Sequence, residues 1–145
     1  MIRRATTEDI PSIVKLLRQF SKEYAAKGLG LVDKDTKAFL KDVIMGENPV
    51  IVWDFSGSVV GVIGGTYFTY PYDRSVTVCQ EMFWFVTKGL RREGGGLLLI
   101  DAFIAQAEKK ADQIIMTTLD STPKIDHHLG KYAFYRKETN WIRGR

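Results

Sequence analysis

Two arginines and three glycines lie together in the segment Arg91-Arg92-Glu93-Gly94-Gly95-Gly96. Glycine has no Cβ, so the backbone N–H groups of this segment are open to close approach by a ligand. A predicted helix begins directly after it, and the first N–H groups of a helix attract anions, as does the helix dipole. The guanidinium groups add positive charge and paired donors. The combination predicts a site for phosphate or pyrophosphate, with a flexible glycine-rich turn as the alternative.

The same segment differs from two other phosphate-binding sequences. No Gly-Lys-Ser/Thr follows it, which excludes a P-loop, and its glycine spacing does not fit the fingerprint of a dinucleotide-binding fold. A Cβ on Gly95 or Gly96 would obstruct an approaching phosphate. We therefore expect valine at either position to abolish binding without unfolding the domain.

One acidic residue, Glu81, lies inside the apolar run that precedes the glycine segment. Burial disfavours the charged carboxylate and would raise its pKa towards neutrality, which is the range that a general base needs. Glu81 is therefore the best candidate for a base. The alternative is an acid at a strand edge or facing solvent.

The histidines and the single cysteine indicate no metal or thiol chemistry. His127 and His128 are adjacent, so on a helix they point in different directions and we expect no metal site. His127 is interpreted as an exposed residue at a helix start. Cys79 lies in an apolar run and predicts a buried thiol rather than a nucleophile. One cysteine allows no internal disulfide, which fits a reducing compartment.

Length and composition are those of one globular domain over residues 1–145. Hydrophobic residues make up 45% of the chain, enough for a core. No apolar run reaches the roughly 18 residues of a membrane span. The first residues lack the apolar core of a signal peptide. We expect a soluble, cytoplasmic protein that does not contact membranes.

The net charge of +4 is unevenly placed. The last 22 residues hold six basic and two acidic side chains, which accounts for the whole excess. A basic end could attract nucleic acid or the phosphates of a cofactor, and the alternative is a solvated helix face. We regard nucleic acid as the less favoured partner.

Apolar periodicity and turn residues predict a mixed α/β sheet flanked by helices. A first helix follows Thr6, with Asp9 at the capping-box position, and ends at 28–30. Other helices are predicted over 33–45, 97–110 and 125–138, and strands over 2–5, 50–53, 59–68, 75–86 and 112–118, with a possible strand start at 141–143. Gly61, Gly64 and Gly65 inside the third strand suggest a bulge or a close backbone approach.

Three features together resemble the GNAT family of acetyltransferases over nearly the whole chain. Arg91-x-x-Gly94-x-Gly96 is similar to the family's pyrophosphate motif and lies, as in the family, between the fourth strand and the third helix. The opening Arg-x-Ala-Thr-x-x-Asp-Ile and the late segment Phe134-Tyr135-Arg136-Lys137 also resemble family patterns. The texture before the turn looks most like short members from phage genomes. The resemblance implies a mostly antiparallel GNAT-type sheet.

The resemblance implies an acyltransferase that uses acetyl-coenzyme A as cosubstrate. The backbone of Phe85 and Val86 would pair with the pantetheine arm, as an added strand does. His128 would stand where many relatives have an asparagine that helps to bind the pantetheine, or would act as base. The N–H groups that would hold the pyrophosphate are those of Arg91, Arg92, Glu93, Gly94, Gly95, Gly96 and Leu97.

The implied reaction is direct transfer of the acetyl group to a primary amine within a ternary complex. An amine with a pKa near 10.4 is almost fully protonated at neutral pH, so a base is required, and Glu81 is placed for that role. Tyr135 would protonate the departing thiolate. The alternative for Tyr135 is a core tyrosine with a satisfied hydroxyl. The acceptor is a small molecule or a protein amine.

The C-terminal end departs from the family pattern. The segment after Tyr135 is one residue longer than usual, and we expect Asn140 to take the left-handed helix-end conformation, with Trp141 in the place of a phenylalanine. The usual last strand is short or absent. The edge left near the fifth strand predicts a homodimer through the C-terminal segment, with a monomer as the alternative. The alternative function is a non-catalytic GNAT-fold module that binds acyl-coenzyme A or associates with nucleic acid.

Overall fold

Five strands form one sheet in the computed structural model, which describes residues 1–24, 30–119 and 125–143. The strands lie side by side in chain order, antiparallel from the first to the fourth, and the fifth runs parallel to the fourth. Their bounds are β1 (Ile2–Arg4), β2 (Val50–Phe55), β3 (Ser58–Thr69), β4 (Thr77–Val86) and β5 (Gln113–Ile115). The predicted mixed, mostly antiparallel α/β sheet is confirmed.

Helices cover both faces of this sheet. They are α1 (Ile10–Tyr24), α2 (Asp33–Met45), α3 (Gly95–Ala107) and α4 (Asp126–Gly130), and single 3-10 turns lie at Thr7–Asp9 and Lys88–Leu90. The predicted cap of the first helix is present, since Asp9 Oδ2 accepts a hydrogen bond from the Thr6 N–H at 2.8 Å. Across the three described ranges, no helix has the length and apolar surface that a bilayer crossing requires.

Two apolar clusters hold the helices against the sheet. The first lies beneath α1 and α2 and includes Leu40, Val52 and Phe83. The second lies beneath α3 and includes Leu99 and Phe103 together with side chains of β2 and β3. The sheet is therefore buried on both faces, which agrees with the continuous apolar runs of its strands.

A bulge interrupts the pairing of β3 with β4. Gly64 faces Phe83, whereas the next residue, Gly65, faces Glu81, so Met82 is the extra residue. A Cβ on Gly65 would lie 2.4 Å from the backbone oxygen of Gln80, a distance that no side chain tolerates. The sequence prediction of a bulge or a close backbone approach is confirmed in both respects. The bulge changes which residues of β4 face α3, and it stands beside the buried glutamate.

The C-terminal segment differs most from the prediction. The helix predicted over 125–138 ends at Gly130, because Ala133 takes a left-handed conformation (φ 61°) and the Phe134 N–H turns back to the Leu129 oxygen at 3.3 Å. The left-handed residue that follows the helix is therefore Ala133, and not Asn140 as predicted.

Residues 134–143 form no helix or strand, so the predicted strand start at 141–143 is also wrong. Trp141 is 94% exposed and Ile142 is 80% exposed. No residue of the described chain covers these two side chains well. The homodimer through this segment stays a prediction.

Candidate active site

The fourth and fifth strands part in the middle of β4. Their parallel ladder runs from Val78 opposite Gln113 to Gln80 opposite Ile115. β4 continues to Val86 in its pairing with β3. Beyond Ile115, the backbone of the two strands is no longer paired. Instead, the backbone N–H of Thr117 donates a hydrogen bond to the side chain of Glu81, with a distance of 3.2 Å to Oε2. The predicted fifth strand over 112–118 is shorter for this reason.

Glu81 is buried at the point where the strands part. It is 6% exposed, which excludes the alternative of a solvent-facing acid. Loss of hydration raises the pKa of its carboxyl group to about 7, against the opposing effect of the Thr117 N–H, which favours the ionised form. A carboxylate with this pKa can accept a proton near neutral pH and release it again.

A cleft with a cavity volume of about 100 Å³ opens to solvent beside the second half of β4. Its lining combines aromatic, aliphatic and cationic side chains of four parts of the chain: Phe20 and Tyr24 of α1, Trp84, Phe85 and Val86 of β4, Arg91 of the turn before α3, and Leu119 after β5. Trp84 Nε1 is buried and has no acceptor among the described residues. The cleft thus offers an apolar wall and one cation to a ligand.

The glycine segment forms the turn into α3, as predicted. Gly94 is the residue before the helix and has φ 79°, a conformation that favours glycine. The Leu97 N–H donates to the Gly94 oxygen at 3.1 Å. Gly95 and Gly96 are the first two residues of the helix, so no helical carbonyl lies four residues before them to accept from their N–H groups. The turn has the geometry of an anion site at a helix start.

The two glycines that were expected to behave alike do not. A Cβ on Gly95 would lie 2.2 Å from the ring of Trp53, so this glycine is required for packing of α3 on β2. A Cβ on Gly96 would meet Trp84 at 3.4 Å, which is ordinary contact. The expectation that valine at Gly95 leaves the domain folded is therefore wrong, and only Gly96 is suitable for a binding test.

We expect Gly95→Ala to destabilise the domain by about 3 kcal/mol, because a Cβ in this packed contact forces Trp53 or α3 to move. Gly96→Ala serves as the matched control and should leave the thermal midpoint nearly unchanged, since its Cβ has room. Thermal unfolding followed by circular dichroism measures both. Equal midpoints for the two variants would contradict the packing assigned to Gly95.

Arg91 is held in place by several groups of the protein. Its Nε donates to the Val86 oxygen at 2.9 Å, and its terminal nitrogens contact Glu23 Oε2 at 2.8 Å and the Tyr24 hydroxyl at 3.3 Å. The guanidinium also lies over the Phe85 ring, 5.1 Å from its centroid. The side chain thus links α1 to the end of β4. Arg92, the next residue, is exposed.

His128 of α4 is not among the residues that line the cleft, and it contacts Asp101 of α3. Its Nε2 is 2.6 Å from Asp101 Oδ1, and the same oxygen accepts a hydrogen bond from the Tyr132 hydroxyl at 2.7 Å. This bond favours the protonated phenol and raises the pKa of Tyr132. His127 is exposed, as predicted. Sequence reasoning missed Asp101; the spacing of four residues between His128 and Tyr132 was the only signal of a shared partner.

Tyr135 follows Phe134, which packs against the apolar cluster beneath α3. Tyr135 itself is 75% exposed, so the alternative of a core tyrosine is wrong. Its role as a proton donor stays a prediction. Of the predicted site residues, the structure gathers Phe85, Val86 and Arg91 around one cleft, with Glu81 earlier on the same strand.

No protein-family model and no curated protein matches the sequence. Solved structures do match in fold over essentially the whole chain. A possible acetyltransferase from Clostridium difficile 630 is 18% identical, with a TM-score of 0.75 over 100% of this chain and 96% of that one. A transcriptional regulator from Bacillus halodurans C-125 is 20% identical, with a TM-score of 0.76 over 100% and 99% of the two chains.

Glucosamine-6-phosphate N-acetyltransferase from Arabidopsis thaliana is 11% identical, with a TM-score of 0.75 over 99% of this chain and 97% of that one. At such identities the likeness concerns the fold and not the substrate. Strand order, the parting of β4 from β5 and the glycine turn into α3 agree with the resemblance found in the sequence. The chain has the fold of the GNAT acetyltransferases.

Proposed function

We propose that the protein is a cytoplasmic N-acetyltransferase that moves an acetyl group from acetyl-coenzyme A to a primary amine. The observation that carries the proposal is the buried carboxyl of Glu81, with its pKa raised to about 7, at the point where β4 leaves β5. Burying an ionisable group without a charged partner costs free energy. Such a group on the strand that also lines the cleft is explained if it handles a proton in catalysis.

Coenzyme A would lie along the cleft and reach the glycine turn with its phosphates. The backbone of Phe85 and Val86 would pair with the pantetheine arm along the stretch of β4 that β5 does not reach. The N–H groups of the turn from 91 to 97 would hold the pyrophosphate, helped by the positive end of α3.

Glu81 would act on the acceptor. The ammonium form of the acceptor must lose a proton before nitrogen can attack the thioester carbonyl, and Glu81 takes that proton directly or through one water molecule. The new bond joins nitrogen to the acetyl carbon, and the bond between that carbon and sulfur breaks. Two protons then remain on the nitrogen: one leaves it for solvent, and the other stays in the product amide. The departing thiolate takes up one proton.

Tyr135 is the proposed donor of the proton to the thiolate. We expect Tyr135→Phe to lower the turnover number roughly 10²-fold, because it removes one general acid. The loss should persist across the range from pH 6 to 9, because the variant lacks the donor at every pH. Steady-state rates between pH 6 and 9 test this, with Tyr72→Phe, also strongly exposed, as the control. Full activity of Tyr135→Phe would remove this role.

The experiment that tests the function is release of the free thiol from acetyl-coenzyme A, measured with and without candidate amines. We expect release that depends on an amine and falls in Glu81→Gln. Binding of acetyl-coenzyme A without any release would instead favour a non-catalytic module. The fold likeness to a chain described as a transcriptional regulator is the observation in favour of that second candidate.

A further inference from the structure

Asp101 of α3 contacts two side chains of the C-terminal part of the chain, His128 of α4 and Tyr132 just after it. His128 Nε2 lies 2.6 Å from Asp101 Oδ1, and the Tyr132 hydroxyl donates to that same oxygen over 2.7 Å. His128 and Tyr132 are one helical turn apart, with their rings 5.9 Å apart, so both can meet one carboxylate. The His128 side chain is 15% exposed and that of Asp101 is 36% exposed, so water competes only in part for these bonds.

These two hydrogen bonds hold the segment 126–134, which makes few other contacts with the described part of the protein. α4 has only five residues, which is too short to be stable by itself. Ile125 at its start is buried, and Leu129 and Phe134 pack partly against the cluster beneath α3. Apolar contacts are non-directional, so they hold the segment against α3 without fixing its orientation. Two charge-assisted hydrogen bonds to one carboxylate oxygen are directional and fix the orientation as well.

We propose that Asp101 is a positioning residue, which clamps the segment 126–134 onto α3 through His128 and Tyr132 and thereby places Tyr135. The inference rests on the proposed function for its effect on catalysis. Tyr135 comes directly after Phe134, the last residue of the segment with a partly buried side chain. Release of the clamp would leave the segment before Tyr135 held by its apolar contacts with the cluster beneath α3 and by one exposed ion pair, Asp126 with Arg136.

The clamp explains why His128 is a poor candidate for a base or a coenzyme A ligand. Its Nε2 already lies 2.6 Å from Asp101 Oδ1, so this nitrogen is occupied within the protein. Asp101 does not touch the substrates in this account and acts through the residues it holds. Its contribution must therefore appear in turnover and depend on Tyr135, with little change in the affinity for acetyl-coenzyme A.

The test combines hydrogen exchange with a double-mutant cycle. In Asp101→Ala we expect faster backbone exchange over 126–134 and a turnover number lowered roughly 10- to 100-fold, the loss that a small misplacement of a reacting group causes. The KM for acetyl-coenzyme A should stay unchanged. In a Tyr135→Phe background, Asp101→Ala should lower turnover no further.

Two further variants separate the clamp from a general loss of structure. Asp101→Asn keeps an oxygen that can accept from both partners and should retain most of the protection and the turnover. Asp126→Ala removes an exposed ion pair with Arg136 on the same segment and should change neither. A turnover loss that is additive with that of Tyr135→Phe would overturn the positioning role.

The clamp and the proposed function fail in distinguishable ways. Unchanged exchange over 126–134 in Asp101→Ala overturns the clamp, whatever the activity. If the wild type transfers no acetyl group, the proposed function and the catalytic effect of Asp101 are both overturned. Faster exchange over 126–134 in Asp101→Ala would still support the clamp in that case.

Discussion

Glu81→Gln should lower the rate of acetyl transfer at pH 7 by roughly 10²- to 10⁴-fold, the contribution of a positioned general base. The carboxyl has a pKa raised to about 7, so the wild-type rate should rise as pH increases through this value and Glu81 ionises. The variant should lack that rise. Its deficit should shrink at higher pH, because the fraction of free amine grows without help from a base. Rates between pH 6 and 9 measure the effect.

The same substitution should not harm the fold. A buried acid with a raised pKa contributes stability that is present below its unfolded pKa and is lost as pH rises through about 7. Glutamine carries no charge, so Glu81→Gln should be at least as stable as the wild type above pH 7. Glu8→Gln, at an exposed position, is the matched control and should leave the rate unchanged. An unaltered pH profile in Glu81→Gln would show that another group is the base.

Gly96→Val should weaken the binding of acetyl-coenzyme A by roughly 10²- to 10⁴-fold, if the added side chain removes two hydrogen bonds to charged phosphate of about 1.5–3 kcal/mol each. The valine Cβ stands at the start of α3, in ordinary contact with Trp84, so the helix can form. Calorimetric titration measures the affinity, and the thermal midpoint checks the fold.

The control ligand for Gly96→Val is the acetyl thioester of pantetheine, which has no pyrophosphate. The wild type should bind it far more weakly than acetyl-coenzyme A, and the variant should bind both with similar affinity. Equal affinity of the wild type for the two thioesters would contradict the pyrophosphate site at the glycine turn.

The features that the sequence predicted well depend on neighbouring residues. The turn at Gly94–Gly96 needs a local run of glycines before a helix, and the buried Glu81 needs only the apolar residues on either side of it. The bulge in β3 and β4 was indicated by Gly64 and Gly65 in the same way. Such features can be read within a window of a few residues.

The features that the sequence did not predict depend on contacts between distant parts of the chain. Arg91 was expected to face a ligand, but its partner Glu23 lies on α1. Gly95 was expected to be open, but Trp53 of β2 fills the space beside it. Neither Glu23 nor Trp53 stands in a motif or at a spacing that would predict its contact, because each contact forms only when the sheet and the helices are assembled.

The end of α4 was mispredicted for a different reason. The residues after Gly130 have ordinary helix propensity, which favoured a helix to 138. The left-handed conformation of Ala133 stops it, and apolar contacts of Phe134 with α3 accompany that turn. Tertiary packing here overrides a weak local preference.

Mass spectrometry of an amine acceptor after incubation with acetyl-coenzyme A and the purified protein tests the central claim most directly. A panel that contains polyamines, amino sugars, lysine peptides and free peptide N-termini covers the main classes of primary amine. We predict that at least one acceptor gains the mass of one acetyl group, and that it does so far more slowly with Glu81→Gln. Tight binding of acetyl-coenzyme A with no acetylated product from any class, or equal product from Glu81→Gln, would contradict it.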